Sequence, residues 1–203
     1  MRKLFFIAPF LFLLSCEQDP EIGRQTFHLD IPAGFPAPNI PEDNSLNWER
    51  IDLGKKLFFD PILSVDNSIS CSSCHKQEFA FADDQVVSLG VEDRLGNRNS
   101  MSLANVAYYD LFLREGGVPT LEMQVLAPIQ DHNEMNFNIV DASELLKEDS
   151  VYVRMAWKAY DRAPDPYVIT RAIAAFERTM ISGSSDYDLD RLSSSEERGK
   201  DLF

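Results

Sequence analysis

The pattern of apolar and polar positions divides the chain into an apolar leader, an irregular proline-rich stretch and a series of amphipathic segments. Leu4 to Leu14 is an unbroken apolar run, preceded by Arg2 and Lys3 and followed by Ser15-Cys16. A basic start, a short apolar core and a small residue before a cut site form the pattern of a secretory signal, here residues 1–15. The run is too short to span a bilayer comfortably as a helix. Residues 16–47 read as a tether and an arm, because Pro20, Pro32, Pro36, Pro38 and Pro41 block regular helix. Ile31, Phe35 and Ile40 are the residues able to pin that arm to a folded body.

From Trp48 to Phe59, Ile51, Leu57 and Phe58 recur at helical spacing and predict a helix that Asp60-Pro61 ends. Asn67 and Ser68 lead into a short helix carrying Cys71 and Cys74. Residues 82–99, with Gly90, Gly96, Asn97 and Asn99, predict a loop. Met101 to Tyr108 predicts a short helix, and Gly116-Gly117 a turn. Thr120 predicts a cap for a helix running to Ala127 and stopped by Pro128. Asp141-Ala-Ser-Glu144 has the form of a capping box, and Asp149 predicts a cap for a helix through Trp157. Asp165-Pro166 opens a helix reaching Met180, with Ile169, Ile173, Phe176 and Met180 in one apolar stripe. Ser193 and Glu196 form a capping box before Arg198 to Phe203. No segment alternates with period two, so the expected fold is all-α with long functional loops.

The length of 203 residues and a hydrophobic fraction of 44% allow one good-sized core with a tail. The net charge of −14 deepens to −16 if residues 1–15 are removed, since Arg2 and Lys3 go and no acid does. Such a surface argues against nucleic acid and anionic lipid headgroups as partners. It suits a basic redox partner, and equally simple solubility. Leu13-Leu14-Ser15-Cys16 resembles the lipobox of bacterial lipoproteins, in which the cysteine becomes the lipidated first residue. A plain signal with an incidental cysteine is the alternative. Either way the expected location is the periplasm or cell envelope, lipid-anchored if Cys16 is modified. The other cysteines are Cys71 and Cys74, so a lipidated Cys16 leaves no third thiol for a structural disulfide.

Cys71-Ser-Ser-Cys74-His75 carries the strongest chemistry. On one helical turn, positions i and i+3 share a face, so two thiols can each form a thioether to a haem vinyl group. The adjacent imidazole then reaches the iron. The spacing is that of c-type haem attachment, with histidine as a standard axial ligand. A zinc site would want a second pair of ligands, and His28 and His132 stand far away in sequence. A thioredoxin-like dithiol would want a βαβ setting, which the pattern lacks.

Around this motif, Leu53-Gly-Lys-Lys-Leu-Phe-Phe-Asp-Pro-Ile-Leu-Ser64, Ile69 to His75, Arg98-Asn99-Ser100, Gly116 to Gln124, Ala127-Pro128-Ile129 and Glu134-Met135 resemble the N-terminal haem domain of bacterial di-haem cytochrome c peroxidases and their MauG-like relatives. The resemblance covers about residues 46–203. It implies a cytochrome-c-like helical haem domain over 48–190, with residues 191–203 starting a second such domain. Gly199-Lys-Asp-Leu-Phe203 echoes Gly54-Lys-Lys-Leu-Phe58, in keeping with that. It implies haem c on Cys71 and Cys74 with His75 as proximal ligand, and a second haem in the full-length protein. It further implies Glu134 as distal carboxylate, Gln124 as distal amide and Asn99 as a calcium contact between domains. The implied partners are hydrogen peroxide, a small electron donor such as a cytochrome c, and a second copy in a homodimer.

Elementary chemistry supports the distal pair. Cleaving peroxide at a haem needs a proton moved from one oxygen to the other, which a positioned carboxylate can do, while an amide can hold developing negative charge. Three positions depart from the family pattern. Ser88-Leu-Gly90 is followed by Val91 where many relatives place a distal histidine, Arg114 stands where a tryptophan is usual, and His132 lies two residues before Glu134. The expected function is that of a peroxide-reducing oxidoreductase. The alternatives are a MauG-like oxidase of a protein or organic substrate, and an electron carrier whose iron would be closed by Met101, Met123 or Met135.

Overall fold

The computed structural model describes residues 25–203. The leader and Cys16, with its expected lipidation, lie outside the described residues. Helix α1 (Trp48–Phe59) begins where the Asn47 side chain accepts from the Arg50 N–H and ends at Asp60. Asp60 in turn caps the short turn Pro61–Leu63. Next come α2 (Cys71–Cys74), α3 (Leu121–Gln124), α4 (Leu126–Gln130), α5 (Ile139–Glu148), α6 (Ser150–Tyr160), α7 (Pro166–Glu177) and α8 (Ser194–Leu202). Among the described residues there is no strand, only isolated antiparallel bridges in loops, such as Leu89 with Leu95 and Phe112 with Val118.

The core forms where α1 crosses α7, with α5 and α6 packed around them. Leu53, Leu57 and Phe58 of α1 meet Ile169, Ile173 and Phe176 of α7, all buried. The crossing is close enough to require glycine at position 54: a Cβ there would stand 1.8 Å from the Ala172 carbonyl oxygen and 2.9 Å from Phe176 Cβ. Gly54→Ala must therefore push the two helices apart. It is expected to lower the unfolding free energy by about 3 kcal/mol, measured by urea titration.

The arm is pinned by a polar group as well as by its apolar residues. Ile40 packs on the main core and Phe35 stacks edge-on against Tyr108, while Ile31 is exposed. Asn44, fully buried, donates to Glu122 Oε1 (2.8 Å) and the Arg171 carbonyl (3.0 Å), and accepts from the Tyr160 hydroxyl (3.1 Å). Arg178 closes the group with two bonds to Glu122, at 2.6 and 3.0 Å.

Three local expectations are corrected. Residues 101–108 are mostly irregular, with one short turn at Val106–Tyr108, because Asn105 takes a left-handed conformation (φ 62°) that stops helix growth. Pro128 does not end a helix at Ala127: Val125 keeps helical dihedrals (φ −54°, ψ −30°) between α3 and α4, and Pro128 lies within the first turn of α4, which runs on to Gln130. The N-cap of α5 is Asn138, accepting from the Val140 N–H at 2.8 Å, so Asp141 lies inside the helix. The expected caps at Asp149, Asp165 and Ser193 are present.

Candidate haem-binding site

One cavity of about 470 Å³ opens beside the α1–α7 core. Cys71, Cys74 and His75 line it, together with Gln124, Glu134 and Glu177. The sequence scatters these residues over about half its length; α2, the α3–α4 junction, the loop after α4 and the end of α7 bring them together. The Ser70 N–H donates to Ser73 Oγ at 3.0 Å at the start of α2, and the His75 N–H returns to the Cys71 carbonyl at 2.9 Å at its end.

The His75 ring is oriented by its own loop. Ala80 and Phe81 both hold positive φ (54° and 58°), a conformation that non-glycine residues keep only when their surroundings impose it. The Lys76–Ala82 bridge closes the loop, and Ser102 Oγ donates to the Ala80 carbonyl at 2.5 Å. The result aims the Phe81 carbonyl at His75 Nδ1, 2.7 Å away. A carbonyl can only accept, so Nδ1 carries the proton and Nε2 keeps a free lone pair, the arrangement a metal-binding histidine needs. Burial lowers the pKa of His75 below the ordinary value and keeps the ring neutral. Burial also pushes both thiols up, with the Glu177 charge adding to the effect at Cys71. Two thiols one turn apart and a neutral imidazole on one apolar-lined cavity fit a c-type haem. Among the described residues no group of three or more His, Cys, Asp or Glu is placed to hold a metal ion.

Glu134, which also lines the cavity, is carried by the 131–138 loop. The backbone of that loop rests on Gly90, where a Cβ would stand 2.0 Å from the Asn133 carbonyl oxygen and 2.6 Å from that of Glu134. The Val91 N–H donates to the Glu134 carbonyl at 2.9 Å. The Glu134 side chain is open to the cavity, yet enough protein surrounds the carboxyl that lost hydration, with the Asp131 charge second, raises its pKa. Gln124 ends α3 and lines the same space.

The departures from the expected pattern resolve in space. Val91 is fully buried and is absent from the cavity wall. His132 is exposed, its Nδ1 3.2 Å from Arg94 Nη1, which also donates to the His132 carbonyl at 2.8 Å; it too is absent from the wall. Met123 is half exposed and lies off the cavity, whereas Met101 and Met135 line it. Glu177 was not singled out in the sequence, where it reads as the polar end of an amphipathic helix. It is buried, its Oε2 has no hydrogen-bond partner, and burial raises its pKa to about 8.

Calcium at Asn99 does not fit these residues. Arg114 Nη2 already donates to Asn99 Oδ1 (3.1 Å) and to the Asn99 carbonyl (3.4 Å), so the oxygens a hard cation would use face a positive charge.

Residues 48–196 match the family model described as di-haem cytochrome c peroxidase. The chain is 31% identical over 158 residues to the methylamine utilization protein MauG of Methylophilus methylotrophus, covering 77% of this chain and 46% of that protein. It is 32% identical over 186 residues to the cytochrome-c peroxidase IdrP1 of Pseudomonas sp. (strain SCT), covering 84% and 48%. A solved structure of a MauG-like protein associated with microbial copper homeostasis superposes with a TM-score of 0.80 at 32% identity, over 87% of this chain and 55% of that one. The chain thus spans about half the length of these relatives.

Proposed function

The chain belongs to the di-haem cytochrome c peroxidase family, and on that premise we propose that it carries the peroxide-reducing haem of an oxidoreductase that turns hydrogen peroxide into water with electrons from a small redox protein. The supporting observation is the lining of one cavity, which brings Cys71, Cys74 and His75 together with Glu134 and Gln124, while neither Val91 nor His132 belongs to that lining. A haem held there would supply the peroxide-binding metal and the electrons.

The protein supplies the proton chemistry. Glu134 would take the proton from one oxygen of hydrogen peroxide and return it to the other, so that the O–O bond breaks and one water leaves; two further protons, with two electrons from the redox partner, turn the remaining oxygen into the second water. Its raised pKa brings the carboxyl nearer the working pH, where taking up and giving back a proton are most evenly balanced. The Gln124 amide donates to the oxygen that gains negative charge. Of the Ser88–Val91 segment, Ser88, Leu89 and Gly90 line the cavity and the buried Val91 does not, so the residue at the position of the usual distal histidine offers no ligand to this space. The proposed setting is the cell envelope, on the strength of the basic-apolar leader and Cys16.

Glu134→Gln keeps the shape and removes the proton carrier. The second-order rate of the ferric haem with hydrogen peroxide, followed by stopped-flow absorbance, is expected to drop about a hundredfold. An unchanged rate overturns the assignment. Similarity to a methylamine utilization protein supports a second reading, oxidation of a protein or organic substrate at the same site. Peroxide consumption matched by oxidation of reduced cytochrome c favours the first reading, and peroxide consumption without it the second.

A further inference from the structure

Two loops meet over the rim of the cavity, and both are held by arginine. The first runs from Ser88 to Ser100. Ser88 and Arg98 are paired through the Ser88 N–H and the Arg98 carbonyl (3.0 Å), and the Gly96 N–H donates to the Ser88 carbonyl (2.9 Å). Its last residue donates from Ser100 Oγ to the Cys74 carbonyl at 2.5 Å, so the loop is tied to the segment that carries the cysteines. The second is the turn between Phe112 and Val118, closed by Phe112 N–H to the Val118 carbonyl (2.8 Å), with Leu113 and Gly116 both at positive φ.

The contacts between the loops are reciprocal. Arg98 of the first forms an ion pair with Glu115 of the second, and Arg114 of the second donates to both oxygens of Asn99 in the first. We propose that Arg114 is a built-in cation: its guanidinium occupies the side-chain and backbone oxygens of Asn99 in place of a bound calcium ion, and closes the two loops over the cavity rim without metal.

The chemistry supports the substitution. Calcium binds through several hard oxygens at once, and an amide oxygen with its own backbone carbonyl is such a pair. A guanidinium is also a hard-oxygen partner, always charged, with donors spread in a fork. A divalent ion would have to displace it or share its position against like charge. The nearby Glu115 carboxylate is already engaged by Arg98.

Hydrogen–deuterium exchange of the haem-loaded protein, read on peptides covering residues 94–102 and 110–118, tests this. Wild type is expected to show the same protection in a calcium chelator and in millimolar calcium. Arg114→Ala is expected to speed exchange in both segments by about tenfold in chelator, the equivalent of one lost charge-assisted hydrogen bond. Arg114→Lys should keep calcium independence with part of the protection. Loss of protection when calcium is stripped from wild type overturns the proposal. So does unchanged exchange in Arg114→Ala.

Discussion

Replacing Cys71 and Cys74 together by alanine is expected to remove covalently held haem completely. Wild-type protein matured in a host able to attach haem should keep its colour in the protein pellet after acid–acetone extraction, and the double variant should release all of it to the solvent. The physical basis is that His75 by itself offers one axial bond, which acid breaks by protonating the ring, whereas thioethers survive. The two sulfurs suit the task because α2 is a single turn whose positions i and i+3 face the same cavity. Haem retained in the denatured double variant would sink both the attachment assignment and the enzyme reading built on it.

The second large effect is expected at Glu177. Its pKa in the folded protein is about 8, against an ordinary 4.5. The cause is burial: Arg178 is next in sequence, but its guanidinium turns to Glu122, leaving Glu177 Oε2 without a partner. Between those two values the folded state holds a proton that the unfolded chain has released. Stability from this group is therefore present at low pH, falls as pH rises through the window, and levels off above the folded-state pKa. Glu177→Gln stays neutral throughout. Wild type and variant are thus expected to diverge, the variant gaining about 4 kcal/mol relative to wild type between about pH 5 and about pH 8.5. Denaturant unfolding at the two pH values measures it, and a constant difference between the proteins would show that Glu177 is ionised in the fold.

Much of the helical frame was legible before any coordinates. The Trp48 start and Asp60-Pro61 end of α1, the Asp149 and Asp165 caps, and the Ile169–Ile173–Phe176 stripe depend on neighbours within a turn or two, and local physics decides them. The errors came where local signals compete. Asn105 breaks a segment whose apolar spacing suggested it was continuous, Pro128 is carried inside the first turn of α4 rather than ending a helix, and Asn138 outranks Asp141 because the first turn of α5 packs Ile139 into the core.

The candidate site divides along the same line. Cys71, Cys74 and His75 come together because they sit within five residues, so the sequence by itself determined that two thiols and an imidazole cluster at haem-attachment spacing and that the chain around them is helical. Everything that shapes the space above it is long-range. Only the tertiary structure decided that Glu134 rests on Gly90 and faces the cavity, that Val91 and His132 turn away, and that Arg114 meets Asn99. The same holds for Glu177: a glutamate at the end of an amphipathic helix is ordinarily solvated, and no local pattern says that the cavity wall will close over it. Residues adjacent along a helix are placed by backbone geometry, whereas residues adjacent across a cavity are placed by the packing of the whole core.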